Sequence, residues 1–199
     1  MGTQSSSHYY VNWAKERLDE MDAALTSLEG KVGIVEADAR DKANKALADL
    51  CKKRDDFRAT VKKQSETNEA AWTSAKTNLE SEWNAFEAEV RKYVESFGKQ
   101  IEQEQATFKL QSSAQLKAWR EAADKFASSA KEFTAERRGE LDAVVKRMNA
   151  DAATAEEKLQ KLNQAGGQSW SALTAALTES RAAFDRANQA ARDAFKRAT

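Results

Sequence analysis

Apolar residues recur along this chain in steps of three and four, the spacing of a helix face buried against another helix. The pattern is densest in Asn68–Ala88, NEAAWTSAKTNLESEWNAFEA. Trp72 and Trp83 stand eleven residues apart there, which sets them about 20° from each other around a helix. Leu79 and Phe86 complete that stripe. Upstream, the stripe reads Val11, Leu18, Met21, Leu25, Leu28, Val32, Val35, Ala39, Ala43, Ala46, Leu50, Phe57 and Val61, which predicts one helix from about His8 to Gln64. Its seam is alanine between Val35 and Leu50, so a partner helix comes closer there. Gly33 weakens the pattern by about 1 kcal/mol relative to alanine.

The cap-rich segment QSETN at 64–68 predicts the first turn. The second helix carries Trp72, Leu79, Trp83, Phe86, Val90, Tyr93, Phe97, Ile101 and Phe108. At LQSSA, 110–114, the seam thins and two readings stand. Ser112 and Gln115 have capping-box spacing, which predicts a turn. The step Phe108–Ser112–Leu116 is instead a stutter that a continuous helix tolerates. Leu116, Trp119, Phe126, Ala130, Phe133, Leu141, Val144, Met148, Ala152, Ala155, Leu159 and Leu162 continue the seam to Gly166-Gly167, a strong stop signal. The last helix, about 168–198, carries Trp170, Leu173, Leu177, Phe184, Ala191 and Phe195 on one stripe.

These elements predict an all-α protein: an elongated antiparallel helical bundle or coiled coil of three to four long helices. Residues 1–7 are expected to be a disordered N-terminus. Residues 8–110 form a helical hairpin turning near 64–68, and 111–199 a second helical segment turning at 166–167. Two architectures fit, four helices in two stacked hairpins, or a single rod of the second and third helices with the outer two folded back along it. Aligning Trp72 with Trp170 lays Val61 over Leu159 and QSETN over the Gly-Gly turn, and the match then breaks where Arg181 meets Trp83.

Composition explains why such helices need each other. Leu, Ile, Val and Phe make up about 16% of the chain and charged residues 32%, with no Pro and seven Gly. That apolar content is low for a globular core. However, the remainder is rich in Ala, Glu, Lys, Arg and Gln, all good helix formers. Net charge is zero and the signs are interleaved, as in Lys52-Lys53-Arg54-Asp55-Asp56, so no basic face for phosphate forms and nucleic acid is not an expected partner. One Cys and no signal-like start point to a reducing cytoplasm. No apolar run approaches a membrane span.

One stretch carries a family likeness. Leu50-Cys51-Lys52-Lys53-Arg54-Asp55-Asp56 is followed by a polar turn, then by Ala71-Trp72 and Glu82-Trp83-Asn84-Ala85-Phe86. In this pattern Ala39–Ala88 resembles small bacterial two-helix coiled-coil proteins labelled as stress-response proteins. It departs at Ala75, where the family's first Trp motif has Leu, and the chain runs on for more than a hundred residues past the family's usual end. The resemblance implies a coiled-coil hairpin and brings no catalytic site.

Chemistry has few places to reside. The only His is His8 and the only Cys is Cys51. A Glu-x-x-His di-iron bundle, a Cys/His zinc site and a Ser/His or Cys/His pair all lack their parts. Gly166-Gly167 lacks the Gly-Lys-Ser/Thr of a phosphate loop. Cys51 reads as a small buried or half-buried seam residue or, if it is exposed and its pKa is lowered by Lys52, Lys53 and Arg54, as an interchain disulfide or a redox sensor. The expectation is a non-enzyme with no cofactor, no metal and no small-molecule substrate. Its candidate packing or surface-binding stripe is Trp72, Leu79, Trp83, Phe86, Trp119, Trp170, Leu173, Leu177, Phe184 and Phe195. Two functions use that stripe. One is a structural or stress-associated scaffold that associates with itself or with a protein partner through helix seams. The other is an amphipathic-helix protein that binds lipid or a storage-granule surface, like apolipoproteins or granule-coating phasins.

Overall fold

With no proline and few glycines, little in the chain interrupts a helix. The computed structural model describes residues 4–65, 67, 69–97, 100–166 and 168–199, with side chains from Tyr10 onward except at positions 69, 100 and 101. The described residues form an all-α bundle of six helices: α1 (Gln4–Glu29), α2 (Ala37–Ser65), α3 (Glu69–Phe97), α4 (Gln100–Ala130), α5 (Ala135–Ala165) and α6 (Trp170–Ala198). At about 1.5 Å per residue each is roughly 40–46 Å long.

The helix count corrects the expected three to four. The helix predicted from His8 to Gln64 is two helices. α1 ends at Glu29, Gly30 follows it, a single 3-10 turn at Val32–Ile34 contains Gly33, and α2 begins at Ala37. The β-branched run Val32-Gly33-Ile34-Val35 is a poor helix former. Val35 is buried and Val32 packs beside it against the core, so the corner is held by its own apolar residues. The second predicted helix likewise divides into α3 and α4. No turn forms at 110–114: α4 runs through it, and the expected boundary between residues 110 and 111 lies inside that helix. The capping-box pair serves other ends, since Ser112 Oγ donates to the Lys109 carbonyl at 3.0 Å and Gln115 reaches across to another helix. A further corner falls at 131–134, where a continuous seam was expected. Residues 4–7 are helical rather than disordered. Residues 1–3, Gly167 and the side chain of His8 lie outside the described residues.

Shifting the sequence by 98 positions lays one half of the chain on the other. The starts of α2 and α5 coincide, and Leu18, Arg40, Trp72, Leu79, Phe86 and Phe97 fall on Leu116, Arg138, Trp170, Leu177, Phe184 and Phe195. The two corners are closed by the same device. Arg40 donates to the carbonyls of Gly33 and Val35, and Arg138 to those of Lys131 and Phe133, satisfying groups that a helix end leaves without partners. An ion pair also repeats with its charges exchanged: Asp22 on α1 binds Arg58 on α2, whereas Arg120 on α4 binds Glu156 on α5.

Each half has its own apolar core, one within α1–α3 and one within α4–α6. The halves meet chiefly through α1 and α4, which run antiparallel: Lys15 contacts Glu121, Glu20 contacts Gln115 and Ser27 contacts Thr107. These two helices are central, and each is buried around much of its circumference. α3 also approaches α4, and α6 approaches α1.

Candidate functional site

The predicted stripe does not form one surface. Trp72, Leu79, Trp83 and Phe86 belong to the first core, and Trp119, Leu173, Leu177, Phe184 and Phe195 to the second. Trp72 stacks on Tyr10 with centroids 5.5 Å apart, and Trp119 meets the edge of Phe184 at 5.5 Å. Trp170 is half-buried at the margin of the second core. Trp13, outside the predicted stripe, is 1% exposed and packs on Phe57. Among the described residues, the large hydrophobic side chains that stand exposed are Ile34 and Leu110. The stripe therefore makes two interiors.

The most unusual chemistry lies between those interiors. On α1, Asn12, Glu16, Glu20 and Ser27 are buried along the face toward the other half. On α4, Gln103, Thr107, Gln111 and Gln115 recur every four residues on the facing side. Ser27 and Thr107 share a hydroxyl hydrogen bond at 3.0 Å, and Gln103 Nε2 donates to Ser27 Oγ at 3.0 Å. Glu20, fully buried, is the hub. Arg181 on α6 grips it through Nε and a terminal nitrogen at 3.0 and 2.6 Å, and Gln115 Nε2 donates to it at 3.0 Å. Arg181 also reaches Glu87 on α3 at 2.8 Å and lies over the Trp83 ring at 4.9 Å. Arg17 binds Glu16 beside it and forks onto Asp185 of α6 at 2.8 and 3.2 Å.

Most of these bonds cross from one half to the other, and they are asymmetric. Positions 16, 17 and 20 correspond by the repeat to Ala114, Gln115 and Ala118, and position 181 to Trp83. The place where the sequence match breaks is thus where the two equivalent positions touch. An arginine over a tryptophan is attractive, whereas two arginines there would repel. A buried polar seam of this kind fixes partner and register more than it adds stability.

Its acids are held unequally. Burial drives the Glu16 carboxyl well above the usual carboxylate range, and the neighbouring Glu20 charge adds to this against the pull of Arg17. Burial acts on Glu20 as well, but Arg181, a hydrogen bond from Glu16 and Arg17 outweigh it and hold Glu20 below its ordinary value. Of the two acids, Glu16 is therefore the one that holds a proton more readily. Its folded pKa lies above the unfolded value of about 4.3, so its contribution to stability is full below that pH and is lost as pH rises through the folded value. Glu20 acts oppositely, its contribution being lost as pH falls through its lowered folded value. Glu16→Gln keeps the side chain's size and polarity and removes the ionisation. Thermal melts between pH 4 and 9 are expected to show wild type losing stability as pH rises above about 4.3, and the variant losing less, since Glu87 and the other acids raised by burial remain.

Cys51 does not have the environment of a redox thiol. Burial first, then Glu29, pushes its pKa up, and its Sγ lies 3.8 Å from the Glu29 carboxylate. Among the described residues, no group of three or more His, Cys, Asp or Glu is placed to hold a metal ion, and no helix is long and apolar enough to cross a membrane. The chain matches no protein-family model, no curated protein and no solved structure.

The polar seam is what sequence reading missed. A search for apolar stripes passes over residues such as Gln103, Thr107, Gln111 and Gln115. Their four-residue period in uncharged side chains, within a chain whose polar positions are mostly charged, was the available signal.

Proposed function

We propose that this is a non-enzymatic cytoplasmic scaffold or spacer protein, acting through the charged outer faces of a closed six-helix body. The observation that carries the reading is the placement of the aromatic stripe: Trp13, Trp72, Trp83 and Trp119 are at most 5% exposed. Their apolar surface is spent on the protein's own cores and is withdrawn from partners. The outer faces are dense in both charges, which suits reversible contact with proteins more than tight apolar docking. The likeness of Ala39–Ala88 to bacterial stress-response hairpins fits such a role, and α2 and α3 are the paired helices that carry it.

The competing reading is attachment to lipid or a storage granule. It draws on α6, where apolar and polar residues separate most sharply around the helix. It would require Leu173, Leu177, Phe184 and Phe195, each at most 2% exposed, to leave the second core. Tryptophan emission and far-UV circular dichroism, with and without anionic phospholipid vesicles, distinguish the two. The scaffold reading expects blue-shifted emission and full helicity before vesicles are added, and no change after. Emission that starts red and moves blue with added helix would replace it with the surface-binding reading.

A further inference from the structure

The groove of the second half is larger than the equivalent one between α2 and α3, which holds about 260 Å³. It runs between α5 and α6, encloses about 860 Å³ and has Met148, Ala155, Leu159, Ala183 and Ala187 along its floor and walls. This is within the usual size of a small-molecule site. The register of the two helices is fixed by Lys158 with Glu179 at 3.0 Å and by Arg137 with the Ala198 carbonyl, so they run antiparallel.

The internal repeat provides a control on what the fold itself demands. At the positions equivalent to Ala155, Ala176, Ala187 and Ala190, the first half carries Phe57, Asn78, Glu89 and Lys92. The same helical hairpin is thus built with large or charged side chains on this face. Clearing the groove to alanine is a property of the second half alone. The rim has changed sign as well: Arg147 stands where Asp49 is, and Arg186 where Ala88 is.

Two polar features point into the cleared space. Ser180 lines the groove, is 6% exposed, and its Oγ has no hydrogen-bond partner. A buried hydroxyl in that state costs free energy until something binds it. Arg147 and Arg186, both exposed at the rim, form no ion pair among the described residues. By the helix register they lie about one turn apart along the groove, with Asp151 level with Arg186. The other basic residues at the rim, Lys158 and Lys161, are paired with Glu179 and Glu157. Unpaired positive charge therefore gathers at one end. From there the floor runs roughly 20 Å to Leu162, past the Lys158–Glu179 pair that joins the two walls.

We propose that this groove binds a single-chain anionic amphiphile. Its carboxylate or phosphate head is held by Arg147 and Arg186, and its chain lies over Ala183 and Ala155 toward Leu159 and Leu162. One charged end and one long apolar floor match a ligand with one charged end. An acidic partner helix would instead need free cations along the whole length.

The test is calorimetric titration of the full chain with palmitate below its micelle concentration, and with an uncharged monoacylglycerol of the same chain length. Saturable one-to-one binding of palmitate is expected. Arg147→Glu with Arg186→Glu is expected to weaken palmitate at least tenfold and leave the monoacylglycerol unchanged. Ala183→Trp, which fills the groove from a half-exposed position, is expected to abolish both, whereas Ala85→Trp at the equivalent place in the first half is expected to change neither. The proposal is overturned if palmitate does not bind saturably, or if both arginines can be reversed without loss. It is equally overturned if Ala85→Trp acts like Ala183→Trp, or if an acidic amphipathic peptide occupies the groove and palmitate fails to displace it. Should Ala183→Trp lower the helix content, the surface arginine pair still decides.

Discussion

Arg181→Leu is expected to destabilise the fold by about 3–5 kcal/mol, the usual cost of breaking a buried pair from one side. The substitution leaves Glu20 fully buried without its ion-pair partner, and it removes the partner of Glu87. It also strips the cation from the face of Trp83. The companion Glu20→Leu is expected to be costly too, though less so, because Arg181 retains Glu87. The double variant, Glu20→Leu with Arg181→Leu, is expected to recover most of the loss, since a buried ion pair exchanged for apolar groups of similar volume is often neutral or stabilising. Urea unfolding of the two single variants and the double variant closes the cycle. A single-variant cost below about 1 kcal/mol is the value of a surface pair and would place these groups in water.

The second large effect is expected in the other kind of interior. Trp119 is fully buried and sits edge-on to Phe184 in the core of α4–α6. Trp119→Ala is expected to cost about 3–5 kcal/mol, the transfer of an indole to water together with the cavity left behind. Trp170→Ala, at the half-buried margin of the same core, is expected to cost clearly less. Equal costs would mean that the two tryptophans share one environment. That outcome would contradict the division between a stripe that forms cores and a stripe that meets a surface.

How much of this was legible depended on what kind of residue carried each feature. The all-α class was open to reading because apolar spacing and helix-forming composition agree along the whole chain. The turns at QSETN and Gly166 were legible because cap chemistry and glycine mark them locally; Gly166 indeed adopts φ of 60°. The corner at 131–134 has neither Gly nor Pro. It exists because Phe133 turns in against Phe195 and Arg138 ties the carbonyls of Lys131 and Phe133, and both are decided by tertiary packing. The corner after α1 had two glycines, yet the seam seemed unbroken because Val32 and Val35 remain in register with the core on both sides of the bend. α1 and α4 were each read as carrying a single stripe. As central helices they are buried on several faces, and their polar faces are spent on each other.

The repeat was visible only in part for a related reason. Where equivalent residues face away from one another, as Phe86 and Phe184 do in separate cores, they could stay alike. Where they face each other, as Trp83 and Arg181 do, likeness is unfavourable and the sequences diverged. Glu16, Arg17 and Glu20, matched by Ala114, Gln115 and Ala118, follow the same logic. An asymmetric seam selects the pairing of one half with the other over the pairing of either half with a copy of itself.

That pairing is the centre of the account, and a cross-link tests it most directly. The hydroxyl oxygens of Ser27 and Thr107 lie 3.0 Å apart across α1 and α4, so sulfurs on the same carbons fall within reach of a disulfide. Ser27→Cys with Thr107→Cys, in a Cys51→Ser background, is expected to oxidise within one chain under mild conditions. The product should run as a faster, monomeric band without reductant and melt at a higher temperature. If both thiols remain open to alkylation in the folded protein, or if they link only between chains, the antiparallel seam of α1 and α4 is not the structure in solution.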